Sequence, residues 1–461
     1  MAVSKQGVLS EDFGIDPLLE EMEPLQEGVV DPLVKMREML TPEQTDAVNK
    51  ILEFAREPGT GEMLLEGPAG SGKTLCAAVA IRMLELERLN SVLITAPTHK
   101  AARILRENLN GMTTMTTHSA LGLVLKPRAD KQKLYHLKHA EHNDTNNRLL
   151  VVDEASMISQ ELRGHINPYL ERHGMKVLYL GDFCQLPPVT AEKHKSELSW
   201  VFSEIERKVS LERVMRHGGA IRDTSAGVRE QILTGKQSKY MRTRGDVISY
   251  RDSEGFEGRL EQVLSGTDGD AVRILAWRNV AVNAYNDIAR RILYGEAAKE
   301  PFLPGEPVVA GEPIKSKKAI QMSNNEEGIV ASAELTVRNS HDVSVPCWKV
   351  TVIPTERQWI TVTAYVPTEI GKQLVKSKLS QLRMEGLAEP GKWPRFWSFK
   401  EKFHDLRTCH AMTIHKSQGS TFEHVFVDAV DVSLCHRGSD SLRLLYVAVS
   451  RASKSLTVRL G

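Results

Sequence analysis

Residues 63–74 read MLLEGPAGSGKT, an apolar run followed at once by a glycine-rich turn that ends in Lys73 and Thr74. From Gly67 onward the turn matches G-x-x-x-x-G-K-[ST]. In this pattern glycines let backbone N–H groups turn inward on a phosphate chain. The segment predicts a buried strand, a phosphate-binding loop and a helix that opens at Lys73.

Each part of this loop has an expected role. We expect Lys73 to reach the β and γ phosphate oxygens of ATP, and Thr74 to hold Mg²⁺. The remaining nucleotide-binding positions are Gly67, Ala69, Gly70, Ser71 and Gly72.

Two acidic residues, Asp153 and Glu154, end a second apolar strand about 80 residues further along. An acid at this point can hold Mg²⁺, and a neighbouring acid can orient or deprotonate an attacking water. We therefore assign Asp153 to the metal and Glu154 to the water. Together with the loop, these residues predict a nucleotide hydrolase.

Strand and helix patterns alternate outward from the loop. The strand patterns MLLEG, SVLITA, LLVVDE and VLYLGD are separated by segments with helical spacing. Continuously apolar strands that alternate with helices indicate an α/β fold with a parallel sheet covered on both faces. The same order resumes at 273–277, whereas residues 303–403 have the short alternating runs of a small β unit.

Charge is unevenly distributed along the chain of 461 residues. Residues 1–34 carry eight acidic side chains and one lysine, so the remaining residues are net basic although the whole chain has a net charge of +1. A mildly basic body suits a polyanionic partner, and the leader is expected to be disordered or to dock a protein partner. The absence of a membrane-spanning run or signal peptide predicts a cytoplasmic protein, in the host cytoplasm if it is a bacteriophage protein.

Nine segments follow one another along the chain: LTPEQ, the phosphate loop, ITAPTHKAARIL, TTHSAL, VVDEAS, LGDFCQLPPV, LERVMRH, TIHKSQGST and LLYVAVSRA. This set resembles the superfamily 1 helicases, specifically the branch that contains RecD and the bacteriophage Dda helicase. The segment from Lys392 to Gly419 is similar to the Dda arrangement in its aromatic placement. The resemblance covers about residues 40–461.

The resemblance implies an architecture with two RecA-like domains. The first would span 35–205, with a β-hairpin pin inserted at about 121–147. The second would span 206–461, with a small β-barrel inserted at about 303–403. The leader, 1–34, lies outside the resemblance.

The resemblance also implies roles around the nucleotide. Gln44 would read the adenine edge, since an amide both donates and accepts. Gln185 would contact the γ-phosphate, while Arg216 and Arg451 would reach across from the second domain as arginine fingers. For Arg216 the neighbouring Arg213 is a competitor. Further nucleotide contacts are expected from Gln418 and Gly419.

Strand-binding residues are expected on loops of both domains. Small donors can contact phosphates and histidines can stack on bases. The candidates are Pro97, Thr98, His99, Thr117, His118, Thr413, His415, Lys416 and Ser420. For His118, a structural role is equally open.

Aromatic residues raise two further questions. Tyr135, in the predicted pin, would be the wedge that splits a duplex, or else an exposed tyrosine on a solvated hairpin. Trp393, Phe396 and Trp397 could stack on DNA, but a packing role is favoured.

These inferences predict an ATP- and Mg²⁺-dependent DNA helicase that moves 5′→3′ on single-stranded DNA, acts on forked duplexes and works as a monomer. The alternatives are an RNA helicase, or a DNA-binding ATPase that loads or displaces proteins without unwinding.

Overall fold

The computed structural model describes residues 36–87, 92–109, 112–128, 131–136, 148–188, 198–215, 218–236, 242–316, 319–355, 357–435 and 438–461. The acidic leader and Arg216 lie outside these ranges. Within them, no helix is both long and apolar enough to cross a membrane.

The chain first builds a parallel sheet with helices on its two faces. Its elements are α1 (Pro42–Arg56), β1 (Gly61–Glu66), α2 (Lys73–Leu86), β2 (Val92–Ala96), α3 (His99–Asn108), β3 (Thr114–Thr116), α4 (Thr117–Ala120), β4 (Leu123–Arg128), β5 (Lys131–His136), β6 (Leu149–Val152), α5 (Gln160–His173), β7 (Lys176–Gly181), α6 (Val201–Glu204) and β8 (Lys208–Ser210). Helix α1 begins with a well-defined cap. Thr41 and Gln44 form a capping box, and Pro42 occupies the first turn.

Six strands pair in the order β3-β2-β6-β7-β1-β8, and every pair is parallel. Strands β6 and β7 are buried along their whole length because apolar clusters cover both faces of the sheet. One cluster includes α1 and α2, and the other includes α5. The sheet continues to Ser210, a few residues past the domain boundary predicted at 205.

A second parallel sheet follows, interrupted by an insertion. The elements are α7 (Gly219–Thr234), β9 (Val247–Tyr250), α8 (Ser253–Gly266), β10 (Val272–Ala276), α9 (Asn279–Tyr294), β11 (Pro307–Ala310), β12 (Ile314–Ser316), β13 (Ala319–Met322), β14 (Glu327–Ser340), β15 (Val343–Pro354), β16 (Val362–Pro367), α10 (Glu369–Ala388), α11 (Trp393–Lys400), β17 (Leu406–Thr408), β18 (Ala411–Thr413), α12 (Ile414–Ser417), β19 (Phe422–Asp428), α13 (Ala429–Ser433), α14 (Gly438–Val449) and β20 (Ala452–Arg459). The parallel order is β18-β10-β19-β20-β9.

The insertion between β10 and β18 is an antiparallel sheet of order β16-β15-β14-β11-β17. Its strands alternate between buried and exposed positions, and the buried ones form a separate apolar cluster. Closure of this sheet into a barrel stays a prediction. In the first half, β4 and β5 form a two-stranded antiparallel hairpin within the predicted pin. Two parallel sheets with helices on their faces confirm the predicted α/β class.

Candidate functional site

A pocket of about 440 Å³ lies where three parallel strands of the first sheet end. The phosphate loop follows β1, Asp153 follows β6 and Asp182 follows β7, so the carboxyl ends of these strands converge on one space. Of the residues predicted from sequence, the pocket is lined by Ala69, Gly70, Gly72, Lys73, Thr74, Asp153, Glu154, Gln185, Gly419 and Arg451. Both halves of the chain therefore contribute to it.

The phosphate loop has the backbone that its glycines predict. Gly72 has a φ of +89°, and a Cβ there would lie 2.3 Å from Nε2 of Gln44. Lys73 donates from Nζ to the carbonyl oxygens of Gly67 at 2.8 Å and Pro68 at 3.1 Å. The Ser71 hydroxyl is buried and has no hydrogen-bond partner among the described residues. An unsatisfied hydroxyl in this loop fits a site for a phosphate chain.

Gln44 lies behind this loop rather than on the pocket wall. Its side chain is almost fully buried. Nε2 donates to the carbonyl of Ser71 at 2.9 Å, and Oε1 accepts from the backbone N–H of Thr41 at 2.9 Å. The amide thus supports the phosphate loop from α1. Its adenine-reading role stays a prediction.

Thr74 and Asp153 fit the oxygen ligands that Mg²⁺ prefers. The Thr74 hydroxyl donates to Oδ2 of Asp153 at 3.2 Å, so both oxygens face one point beside the loop. Burial and the adjacent Glu154 carboxylate raise the pKa of Asp153 to about 6. Two carboxylates in one desolvated site favour a cation between them and a phosphate. No group of three or more His, Cys, Asp or Glu that could hold a metal occurs in the described part of the chain.

Glu154 sits in strained backbone at the end of β6. Its φ of 52° and ψ of 46° place a non-glycine residue in the left-handed region, which costs about 1 kcal/mol or more. Such strain is tolerated where the surrounding structure fixes a side chain in position. Here it points the carboxylate toward the second domain, where Nε2 of Gln418 donates to Oε2 at 3.3 Å.

Gln418 connects the two halves of the site. The same Nε2 donates to Oε1 of Gln185 at 2.9 Å and to the hydroxyl of Ser156 at 3.3 Å. Gln185 is buried at the end of β7 and its N–H donates to the carbonyl of Asp182 at 3.1 Å. The predicted phosphate sensor is therefore in direct contact with a second-domain residue.

Arg451 is only 1% exposed, although its charged head lines the pocket. Nε donates to the carbonyl of Val447 at 2.9 Å and Nη1 donates to the carbonyl of Ser420 at 3.1 Å. Buried donors held in this way give the guanidinium a fixed position. The second predicted arginine finger, Arg216, lies outside the described residues.

Tyr446 and Arg443 were not singled out by sequence reasoning, yet helix α14 brings both to the first domain. Tyr446 donates to Oδ2 of Asp182 at 2.6 Å and accepts from the phosphate-loop N–H of Ala69 at 3.0 Å. Arg443 donates to the carbonyl of Gln185 at 3.1 Å. Tyr446 belongs to the LLYVAVSRA segment, but only Arg451 of that segment has a role that its residue type predicts.

A separate groove of about 750 Å³ joins the first domain to the insertion. From the predicted strand-binding set it is lined by Pro97, His99 and His118. Leu123, the first residue of β4, also lines it, so the groove reaches the base of the hairpin. Burial lowers the pKa of His118, so this histidine favours its neutral form.

Other predicted strand contacts lie elsewhere. Thr117 is fully buried, and its hydroxyl donates to Thr95, so its predicted contact with a strand stays a prediction. Thr116 caps the short helix α4, in which Thr117 is the first residue. Ser420 is also buried. Thr98 has an exposed side chain that accepts a bond from the N–H of Ala101 at 3.1 Å.

The second-domain candidates form their own group. Thr413 ends β18, and His415 and Lys416 follow in α12, where the His415 side chain is exposed. None of the three lines the groove that contains His99. Their contact with a strand stays a prediction.

The aromatic residues singled out from the sequence lie in the hairpin and in the tryptophan segment of the insertion. Tyr135 lies in β5 opposite Val124. Trp393 and Phe396 are buried against α10, with ring centroids 5.7 Å apart, so both side chains take part in packing within the insertion. Trp397 lines the groove.

Comparison with known proteins agrees with the nucleotide pocket that this geometry describes. Residues 39–251 match the AAA domain family, and residues 408–458 match the UvrD-like helicase C-terminal domain family. The ATP-dependent DNA helicase Dda of Enterobacteria phage T4 is 26% identical over 89% of this chain and 97% of its own length. Together these matches support a superfamily 1 helicase of the branch that contains Dda, RecD and Pif1.

One further relative and one solved structure are also similar to this chain. The RecBCD subunit RecD of Mycobacterium tuberculosis is 24% identical over 91% of this chain and 70% of its own length. A crystal structure of Pif1 helicase from Bacteroides, in complex with ADP-AlF3 and single-stranded DNA, matches with a TM-score of 0.54 at 18% identity, covering 90% of this chain and 92% of that chain. At this identity the structural match supports the fold alone.

Proposed function

We propose that this ATP-dependent DNA helicase moves 5′→3′ along single-stranded DNA and uses the β4–β5 hairpin as the pin that separates a duplex. The observation that carries the pin is the groove lined by His99 and His118, because Leu123, where the hairpin begins, also lines it. The 5′→3′ direction rests on the resemblance to RecD and Dda. A strand in this groove would meet the hairpin directly. Tyr135 on β5 is the proposed wedge.

The pocket supports a division of labour in hydrolysis. Lys73 would bind the terminal phosphates, and Thr74 and Asp153 would hold Mg²⁺, which neutralises phosphate charge when bound. Glu154 would orient the attacking water. Arg451 would stabilise charge that develops on the phosphate.

Gln185 and Gln418 support coupling of this chemistry to movement. Because one hydrogen bond joins these two side chains, a change at the γ-phosphate that moves Gln185 is felt in the second domain. Repeated closure and opening of the two domains would then advance the protein along a strand.

The proposed arrangement has a first domain from 35 to 205, a second from 206 to 461 and an acidic leader that docks a partner. The protein would work as a monomer in the cytoplasm, or in the host cytoplasm as a phage protein, which its relationship to Dda supports. Deletion of residues 1–34 should spare unwinding. A large loss of unassisted activity would show that the leader belongs to the motor.

The deciding experiment is unwinding of duplexes that carry a 5′ or a 3′ single-stranded tail. We expect strand separation only with the 5′ tail and only with ATP and Mg²⁺. Separation from the 3′ tail alone would overturn the direction. An RNA tail that serves equally well would favour the RNA helicase, and ATP hydrolysis without separation would favour the loading ATPase.

A further inference from the structure

A second cleft, of about 570 Å³, lies beside the strand groove. His99, Thr116 and Ile320 line both, so the two spaces are neighbours. Helix α3 supplies Arg103 and Arg106 to one wall of the second cleft, and the opposite wall comes from the insertion, including Trp359. The cleft contains no residue of the predicted strand-binding set except His99.

Trp359 is the most exposed large apolar side chain in the described ranges, at 79%. The adjacent wall is firm, because Arg357 donates to Oε1 of Glu326 at 2.9 Å and to the carbonyl of Gln321 at 2.6 Å. An exposed ring on a firm wall is suited to stack on a flat ligand rather than to complete a core.

Three arginines and one glutamate line this cleft, so its charge complements phosphate. A cationic groove with an exposed aromatic ring is the arrangement that binds unpaired nucleotides regardless of sequence. We propose that this second cleft binds a continuation of the same single strand, with Trp359 stacked on a base and Arg103 and Arg106 beside its phosphates. The inference rests on the proposed function, since the strand must first occupy the groove at His99.

The test is a titration of Trp359→Ala with oligothymidylates of increasing length, from about 6 to about 20 nucleotides. Short oligomers that fill only the first groove should bind the variant and the parent equally. Longer ones should bind the variant at least about fivefold more weakly, the effect of losing one stacked base. Trp359→Phe keeps a ring and should restore most of the affinity.

Leu335→Ala is the matched control, because Leu335 is 64% exposed on β14 of the same insertion and lines neither cleft. It should bind every oligomer as the parent does. Equal affinity of Trp359→Ala and the parent at all lengths would overturn the proposal, and so would an equal loss at all lengths. Failure of the parent itself to bind would instead refute the proposed function.

An independent observation concerns Tyr446, whose hydroxyl bridges the two domains at the phosphate loop. It joins the buried carboxylate of Asp182 to the N–H of Ala69, with bonds of 2.6 and 3.0 Å. Loop N–H groups are the ones that bind phosphates. A movement of α14 therefore acts on the backbone of the phosphate loop at Ala69 directly, without passing through Arg451.

We infer that Tyr446 is a positioning residue that makes the phosphate loop respond to domain closure. Tyr446→Phe keeps the ring and removes both bonds. DNA-stimulated kcat for ATP hydrolysis should fall at least about fivefold, whereas KM for ATP should change less than about threefold. Asp182→Ala leaves the tyrosine in place but removes its acceptor, and it should lower the ratio of DNA-stimulated to basal ATP turnover.

Tyr285→Phe is the matched control. Its hydroxyl donates to a buried carboxylate, Asp428, at 2.8 Å, but that bond lies within the second domain. This variant should lose similar thermal stability and keep its ATP kinetics. If both phenylalanine variants lose stability equally and neither changes the stimulation by DNA, Tyr446 has only a structural role.

Discussion

The nucleotide pocket and the strand groove both span the two halves of the chain, but they differ in how their polar groups are held. In the pocket, Gln185, Gln418 and Tyr446 are buried and bonded across the domains. In the groove, His99 is exposed. A phosphate must be met by fixed groups to be sensed, whereas a strand that slides must be held by groups that release it.

The largest expected effect is at the nucleotide pocket. Lys73→Ala should lower ATP turnover by about 10³-fold or more, because its ammonium lies against the phosphate-loop backbone, where it would meet the terminal phosphates. Thermal unfolding should be nearly unchanged, since the Lys73 side chain lies outside the apolar clusters. Steady-state ATPase assays and a melting curve measure both. Turnover within a few-fold of the parent would contradict the assignment of Lys73 to the nucleotide site.

The link between the two regions should show a smaller, qualitatively different effect. Gln185→Ala should leave ATP binding largely intact and raise the ATP consumed per base pair unwound. Equal loss of hydrolysis and unwinding would mean that Gln185 only maintains the local structure and does not sense the phosphate. Because Gln418 donates to Gln185, Gln418→Ala should have a similar phenotype.

A double-mutant cycle sharpens this test. If the two glutamines act through their shared bond, the double variant should be no worse than either single variant. Additive losses in unwinding would show that they act independently.

The phosphate loop, the strand ends and the α/β class could be predicted because their signals are local. Glycine spacing and apolar runs state what the backbone does within a few residues. The bond between Tyr446 and Ala69 joins residues 377 apart, and no local pattern encodes that distance. The burial of Thr117 could not be predicted for a related reason: the motif is local, but Thr116 and Thr117 are both buried by packing that the motif does not encode.

At the strand groove the expected effect is modest. His99→Ala should weaken binding of single-stranded DNA about fivefold, the effect of one lost stacking or phosphate contact. Basal ATP hydrolysis without DNA should be unaffected, because His99 does not line the pocket. Fluorescence anisotropy with a labelled oligomer measures the first, and unchanged affinity would remove His99 from the strand path.

The smallest expected effect is a pH dependence at the edge of the same groove. Burial lowers the pKa of His404 to about 4, and its Nδ1 accepts a bond of 2.9 Å from the N–H of Tyr365, which requires the neutral ring. An unfolded histidine titrates near 6.5, so this bond stabilises the fold above that pH. The stabilisation is lost as the pH falls toward 4, because the unfolded state takes up the proton first.

His404→Asn keeps an acceptor and removes the titration. Its melting temperature should therefore fall less than that of the parent between about pH 7 and about pH 5. Parallel melting curves for the two proteins over this range would show that His404 does not titrate on unfolding. In that case His404 would not contribute to the loss of stability at low pH. The difference between the groove and the pocket would then rest only on how exposed their polar side chains are.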